Sequence, residues 1–375
     1  MNPMNLMNLV LARIREHGPI TVADYMELAL YHPELGYYSA RSRRSGRGGD
    51  FFTSVDVGPL FGALLAAQIG EMWTVLRDLG ASGFHLVEAG AGDGQLARDM
   101  LDAIALEQPE LYEGLRVTLV ERSAAARARH CETLGAHSTG IKVESSAVLP
   151  EGITGAIVAN ELLDALPVHV VARTPHGLFE VHIDEAEGVL REVLLPVDNP
   201  AVDLLLQSTG AAVPEGARVE VGLSAVEWMK DAARAIDRGF VLLIDYGHEA
   251  AELSSETHSS GTLTAYRGHR AEPDGWLDAP GCCDLTAHVN LTAVRNGAVD
   301  AGLEPLGIVD QTYFVTSLGL AGRLDEGHGV ESVRRRLSAR TLIIPGGLGS
   351  TMKAMAFGKR VGAPALRGFA AGRVT

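Results

Sequence analysis

The segment Glu88-Ala89-Gly90-Ala91-Gly92-Asp93-Gly94 holds the densest concentration of potential chemistry in the chain. It follows a short apolar run, 84–88, and precedes a helical pattern from Gln95 to Ala105. Strand, glycine loop and helix in that order make a nucleotide-type cofactor site: the glycines let a ligand approach the backbone, and the helix start presents unpaired N–H groups. Glu121 ends the next apolar run, 117–121, where a carboxylate can accept both hydroxyls of a ribose. Asn160-Glu161 ends a fourth run and Asp245-Tyr246 a fifth. Such ends lie on the sheet edge where substrates meet cofactors, so Asn160 and Glu161 are candidates for catalysis, and Asp245 and Tyr246 for lining an acceptor pocket. Asp164 would share a helical face with Glu161 if a helix begins there, and it reads equally well as a helix-start acid held by the dipole. His288 could relay a proton. Asp50, Thr53 and Ser54 follow a glycine-rich stretch and are placed as a lid over the cofactor.

Glycine spacing narrows the cofactor. Dinucleotide loops read G-x-G-x-x-G, with gaps of two and three. Here Gly90, Gly92 and Gly94 are spaced two and two and preceded by Glu88, an arrangement similar to the first motif of class I methyltransferases. That likeness implies S-adenosylmethionine, with its methionine part cradled by Gly90 to Gly94 and its amino group met by Glu88 in a charge-assisted contact. On the loop alone an NAD-linked dehydrogenase stays open, because Glu121 would serve a ribose in either family.

These residues need elements to position them. Apolar spacing predicts helices over 5–17 and 21–31, the second capped near Thr21, and a third over 60–79. Buried-type strands are expected at 84–88, 117–121, 141–144, 155–161 and 239–247, with helices at 95–105 and 123–134 between them. Continuous apolar runs separated by helices indicate a parallel sheet covered on both faces. Segments 168–172, 178–183 and 189–195 alternate and turn at Gly177 and Gly188, which predicts a β-rich insertion between strands four and five, followed by a helix over 225–236. An irregular segment, 248–283, leads to a helix over 286–302, a strand over 304–314, a helical region near 328–340 and a last strand, 352–357. The expected organisation is a helical arm and cofactor lid (1–82), a core in two parts (83–167 and 239–360), the insertion (168–238) and a tail (361–375).

Charge limits the partners. With 32 Lys and Arg against 47 Asp and Glu, the net charge of −15 repels phosphate backbones, so no nucleic acid is expected as substrate. The best basic patch, residues 41–47, reads as a solvated loop. Cys131, Cys282 and Cys283 suit neither a disulfide scaffold nor a metal knuckle. No run of eighteen apolar residues occurs, so no membrane span is expected, and the first residues lack a signal-peptide pattern. Cytoplasm is the expected compartment.

Several further segments resemble the MidA-like methyltransferases, the family of the mitochondrial complex I assembly factor that methylates arginine. They run in order along nearly the whole chain: His32 to Tyr38, Gly49 to Ser54 with Gly58 to Gly62, Val87 to Gly94, and Asn160-Glu161-Leu162-Leu163-Asp164-Ala165-Leu166-Pro167-Val168. Leu243 to Gly247, Thr262 to Arg267, Asp284 to Val289 and Lys353 complete the series. The resemblance implies an α/β class I core with a Rossmann-like sheet, an N-terminal helical arm, and N-methylation of an arginine guanidinium. Glu161, and after it Asp164, would then hold the guanidinium. The acceptor would be an arginine in a protein, or free arginine or another small guanidino compound. The resemblance also implies a homodimer; a non-catalytic assembly factor that retains the fold is the rival reading, against which the intact Glu88 loop and Glu161 argue. The loop Gly-Ala-Gly-Asp-Gly-Gln departs from the Gly-Pro-Gly-Arg-Gly-Thr of many relatives, and Asn290 stands where Asp is common.

Overall fold

The computed structural model describes residues 5–40, 53–268, 270–272, 275–324, 330–344 and 348–370. The chain divides into two compact units, each assembled from three stretches: 1–52, 163–229 and 247–297 in the first, and 53–162, 230–246 and 298–375 in the second. The helix Pro59–Asp78, expected with the N-terminal arm, thus belongs to the second unit, and residues 247–297, expected in the core, cluster in the first.

Among the described residues the second unit is built on seven strands: β1 (Phe84–Ala89), β2 (Leu115–Val120), β3 (Lys142–Ser146), β4 (Ile153–Asn160), β5 (Ile236–His248, whose last two residues are counted with the first unit), β6 (Glu304–Asp310) and β7 (Met352–Lys359). Their spatial order is β6-β7-β5-β4-β1-β2-β3. All neighbours from β5 to β3 pair in parallel, and β7 runs antiparallel between β5 and β6. Strand order reverses between β1 and β4, the switch point outside which such sheets bind ligands. β1 is buried at every residue, as a strand covered on both faces must be.

The helix Pro59–Asp78 is long and apolar enough to cross a membrane by length and composition, a feature the count of uninterrupted apolar residues overlooks. Its Phe61, Leu64, Leu65, Ile69 and Met72 are fully buried in the core of this unit, which accounts for its apolar character. Gly62 marks its tightest approach: a Cβ there would come within 2.5 Å of the Asp99 Cβ on the helix Gln95–Glu107. Only glycine permits that spacing.

The first unit joins two capped helices to antiparallel strands. Asn5 caps Leu6–His17, and Thr21 caps Val22–Tyr31 by accepting from the Asp24 amide. The insertion forms the predicted hairpins: strands His169–Thr174, Gly177–Ala186 and Val189–Pro196 turn at Gly177 and Gly188. Ile20–Thr21 and Arg218–Val221 complete this sheet. A smaller sheet pairs Thr264–Arg267 with Arg270–Glu272 and with Asp284–Thr286.

Several local expectations change. The helix over 123–134 is broken into Ala124–Arg127 and His130–Leu134. The helix expected from 286 begins only at Leu291, because Asp284–Thr286 and Val289–Asn290 are taken up as short strands. The strand from 304 ends at Asp310, whose side chain bonds Lys353 on β7 while residues 311–317 turn helical. No helix begins at Glu161: residues 161–166 form bends and a turn. Glu161 has φ 50°, and the Leu162 amide donates to Asp245 Oδ2 at 3.1 Å, so the backbone is drawn away from a helical path. The shared helical face and the helix-start role considered for Asp164 are therefore both removed.

Candidate active site

In the second unit, β1 delivers Glu88 into the core and then turns through the glycine loop. Gly90, Gly92 and Gly94 all have positive φ, of 72°, 55° and 90°. That run of left-handed geometry is why a loop with these glycines can curl under a ligand. A Cβ at Gly90 would touch Leu162 at 3.0 Å and one at Gly94 would meet Leu119 at 2.9 Å. At Gly92 nothing lies within 4 Å, so the loop is packed from below and open in front of its middle glycine.

Two side chains hold the loop. Glu121, just past β2, accepts from the Gly92 amide at 3.0 Å through Oε2 and from the Ser123 amide at 2.7 Å through Oε1. The buried His130 bridges the Gly92 carbonyl, at 2.9 Å, and the Ser145 hydroxyl, at 2.8 Å. No motif in the sequence marks His130. Its only signal is a histidine in an Ala- and Arg-rich stretch, and its partner is a backbone atom that leaves no trace in composition.

Glu88 is buried, and burial raises its carboxyl from 4.5 to about 8, although the Ala97 amide at the start of the following helix donates to it. Its Oε2 is buried with no hydrogen-bond partner among the described residues. An orphaned carboxylate oxygen beside a glycine loop with open space fits a ligand that brings an ammonium group and lies along the backbone.

The end of β4 carries the second group. Glu161 has the left-handed φ that a non-glycine residue adopts only where its surroundings enforce it. Its amide donates to the Ile244 carbonyl at 2.8 Å. Its Oε1 accepts from the Ser54 amide and from Asn160 Nδ2, each at 3.1 Å. Burial, opposed by the Ser54 amide and aided by the charge of Asp245, raises its carboxyl from 4.5 to about 8. The Oδ1 of Asn160 is also buried without a partner among the described residues. Glu161 and Asn160 therefore present an acidic, acceptor-rich pair at the sheet edge.

The other predicted residues fall as follows. Ser54 is fully buried, and its hydroxyl donates to Gln311 Oε1 at 3.1 Å, so its hydrogen-bonding capacity goes to Gln311 and Glu161. Thr53 closes a turn on Asp56 through its amide, at 2.9 Å, and its hydroxyl, at 2.8 Å. Asp50 and the basic segment 41–47 lie outside the described residues. Asp245 is buried and accepts from the Leu162 and Tyr246 amides, which fixes the junction of β4 and β5. Tyr246 is partly buried and pairs with Met352 of β7. Asp164 and His288 belong to the first unit. There the Asp164 carbonyl accepts from the Ala287 amide at 2.9 Å, next to His288. The Asp164 carboxylate helps raise the hydroxyl pKa of Tyr38 and Tyr266, for both of which burial is the larger cause. His288 is held down to about 4, first by burial and then by the rings of His248 and His258.

The strand order, the antiparallel β7 and the glycine loop at the end of β1 together define a class I S-adenosylmethionine-dependent methyltransferase. Known proteins agree. The family profile described as a putative S-adenosyl-L-methionine-dependent methyltransferase matches residues 64–309. Protein arginine methyltransferase NDUFAF7 of zebrafish, a mitochondrial protein, is 31% identical over 345 residues, covering 85% of this chain and 78% of its own. The Drosophila homologue, also mitochondrial, is 31% identical over 84% of this chain and 75% of its own. A Burkholderia thailandensis superfamily member solved with S-adenosyl-homocysteine bound superposes with a TM-score of 0.89 at 31% identity, covering 98% of this chain and 95% of that one. The chain belongs to the MidA-like family of S-adenosylmethionine-dependent methyltransferases. Its cofactor is S-adenosylmethionine, which sets aside the dinucleotide reading. The expectation of a cytoplasmic protein is corrected by the zebrafish and Drosophila relatives, which are mitochondrial by name. That expectation rested on the lack of a recognisable targeting pattern, and a missing pattern is weak ground.

Proposed function

We propose that the chain methylates a guanidinium nitrogen of an arginine in a protein substrate, with Glu161 as the carboxylate that grips the guanidinium. Glu161 carries this reading: a half-buried acid, strained at φ 50°, fixed by Ser54 and Asn160 at the edge where the strand order reverses. A partly desolvated carboxyl raised to about 8 is matched by a cation that stays charged at every physiological pH, and arginine is that cation. The relatives named as protein arginine methyltransferases support the same acceptor.

S-adenosylmethionine, when bound, supplies an electrophilic methyl on a sulfonium, and the C–S electron pair stays with sulfur as the methyl leaves. Glu88 would meet its ammonium group, Gly92 its approach along the loop, and Glu121 its ribose. Glu161 draws the guanidinium charge toward the nitrogens it holds, which leaves the remaining nitrogen able to attack in line. As the new N–C bond forms that nitrogen sheds a proton, and a carboxylate with raised proton affinity can receive it. Ser54 acts as a positioning residue by donating to Glu161 Oε1.

Labelled methyl donor incubated with a cell lysate and, separately, with free arginine tests the proposal. Label recovered as methylarginine after hydrolysis of the protein fraction supports it. Label in free arginine alone moves the acceptor to a small guanidino compound. Absence of transfer to either, from protein that binds S-adenosyl-homocysteine, leaves a non-catalytic assembly factor.

A further inference from the structure

We propose that His248, His258 and His288 form a binding site for a late first-row divalent cation, of which Zn2+ is the type. All three are half-buried, all lie within the first unit, and each offers one ring nitrogen within 4.8 Å of the other two. The rings already cluster: centroids are 4.8 Å apart for His248 and His258, 5.1 Å for His248 and His288, and 6.2 Å for His258 and His288. An ion held by all three would sit about 2.0–2.1 Å from each nitrogen, closer to them than they now lie to one another.

Glu252 pre-sets two of the three ligands. Its backbone carbonyl lies 3.0 Å from His258 Nδ1, and a carbonyl can only accept, so that nitrogen carries the proton. Its Oε1 lies 2.9 Å from His248 Nδ1, which an ionised carboxylate likewise fixes as the protonated nitrogen. Both rings are left with Nε2 as the lone-pair donor. A histidine whose far nitrogen donates to a carboxylate or carbonyl is the outer shell found around protein-bound zinc.

The backbone around the cluster is also built. His248 pairs with Asn290 in parallel register, which places it beside the His288 segment. The His288 amide donates to the Thr262 hydroxyl at 3.0 Å, and that hydroxyl is in turn held by the buried Glu220 at 3.0 Å. The Ala250 amide donates to Thr292 Oγ1 at 3.0 Å, fixing the turn that follows His248. The donor set decides the ion. Three imidazoles suit Zn2+ and its neighbours, whereas Ca2+ and Mg2+ demand oxygen ligands. Three protein ligands leave a fourth position for water or an exchangeable group. Bound metal would staple the end of β5, the 3-10 turn Glu256–His258 and the loop that carries His288.

The test is Zn2+ titrated into chelator-treated full-length protein, read by calorimetry and by competition with a chromophoric chelator, with Co2+ as a spectroscopic substitute. The expected result is one equivalent bound, a visible d–d band of tetrahedral intensity, and a rise in melting temperature on adding Zn2+. Glu252→Gln should weaken affinity roughly 10- to 100-fold, the scale of losing an outer-shell carboxylate. His258→Gln should abolish stoichiometric binding, the Co2+ band and the Zn2+-induced thermal shift, with an unchanged circular-dichroism spectrum. Wild-type protein that binds no stoichiometric Zn2+ or Co2+, or a His258→Gln variant that binds as tightly as wild type, overturns the proposal.

Discussion

The amide of Gly92 donates to Glu121 Oε2 at 3.0 Å, so the acid that ends one strand shapes the glycine loop that ends its neighbour. The loop geometry is thus carried by the sheet and does not wait for a ligand. Gly92 sits at φ 55° with nothing within 4 Å of where its Cβ would lie. Gly92→Val should therefore fold, at a local strain of about 1–2 kcal/mol from the left-handed backbone, and place its side chain where the cofactor approaches. Calorimetry should find S-adenosyl-homocysteine binding lost while circular dichroism stays native. Affinity within a few-fold of wild type would show that the ligand does not cross this glycine.

S-adenosylmethionine or S-adenosyl-homocysteine should raise the melting temperature of the wild-type protein, and NAD should not. Ligand present at about 100 times its dissociation constant adds roughly 2.7 kcal/mol of stability. A thermal shift with NAD alone would remove the cofactor assignment for Glu88 and Glu121.

Replacing Glu161 with Gln keeps the shape of the side chain and removes the charge that localises a guanidinium. Turnover on the arginine substrate should fall by roughly two or more orders of magnitude, the scale for losing one preorganised electrostatic contact. Cofactor affinity should stay near wild type. Near-normal turnover would refute the role of Glu161, and equal loss of cofactor binding would move that residue to the donor side.

Protonation gives an independent check. Glu88 and Glu161 both have native pKa values raised from 4.5 to about 8, so between those limits the folded protein holds protons that the unfolded chain has released. Their favourable contribution is complete below about pH 4.5 and is lost as pH rises toward about 8. Ligand-free stability from denaturant melts should fall across that window, and Glu88→Gln should flatten the slope. An unchanged slope in that variant would mean Glu88 is ionised in the free protein.

The sheet was legible because its strands are continuous apolar runs, and β1 and β4 start within two residues of the runs read for them. The hairpins were legible because alternation breaks at Gly177 and Gly188, both with the positive φ that such turns use. What escaped depends on partners distant in sequence. The helix expected after Glu161 fails because Asp245, over eighty residues away, claims the Leu162 amide. His130 carries no mark in the sequence because its target is the carbonyl of Gly92, and every residue type offers that atom. The long segment after β5 read as irregular because its order comes from Glu220, which accepts from the Thr262 and Leu263 amides across a gap that no local pattern spans.

Strand β7 lies between β5 and β6, yet it is the last strand of the sheet in sequence. A ribosome releases β5 more than a hundred residues before the strand that must cover its open edge. Throughout that interval β5 presents unpaired amides and carbonyls to whatever chain is nearby, and such an edge is a template for aggregation. Nascent chains halted between β6 and β7 should accordingly be the ones that chaperones hold, and loss of the final strand would open the middle of the sheet instead of trimming its rim.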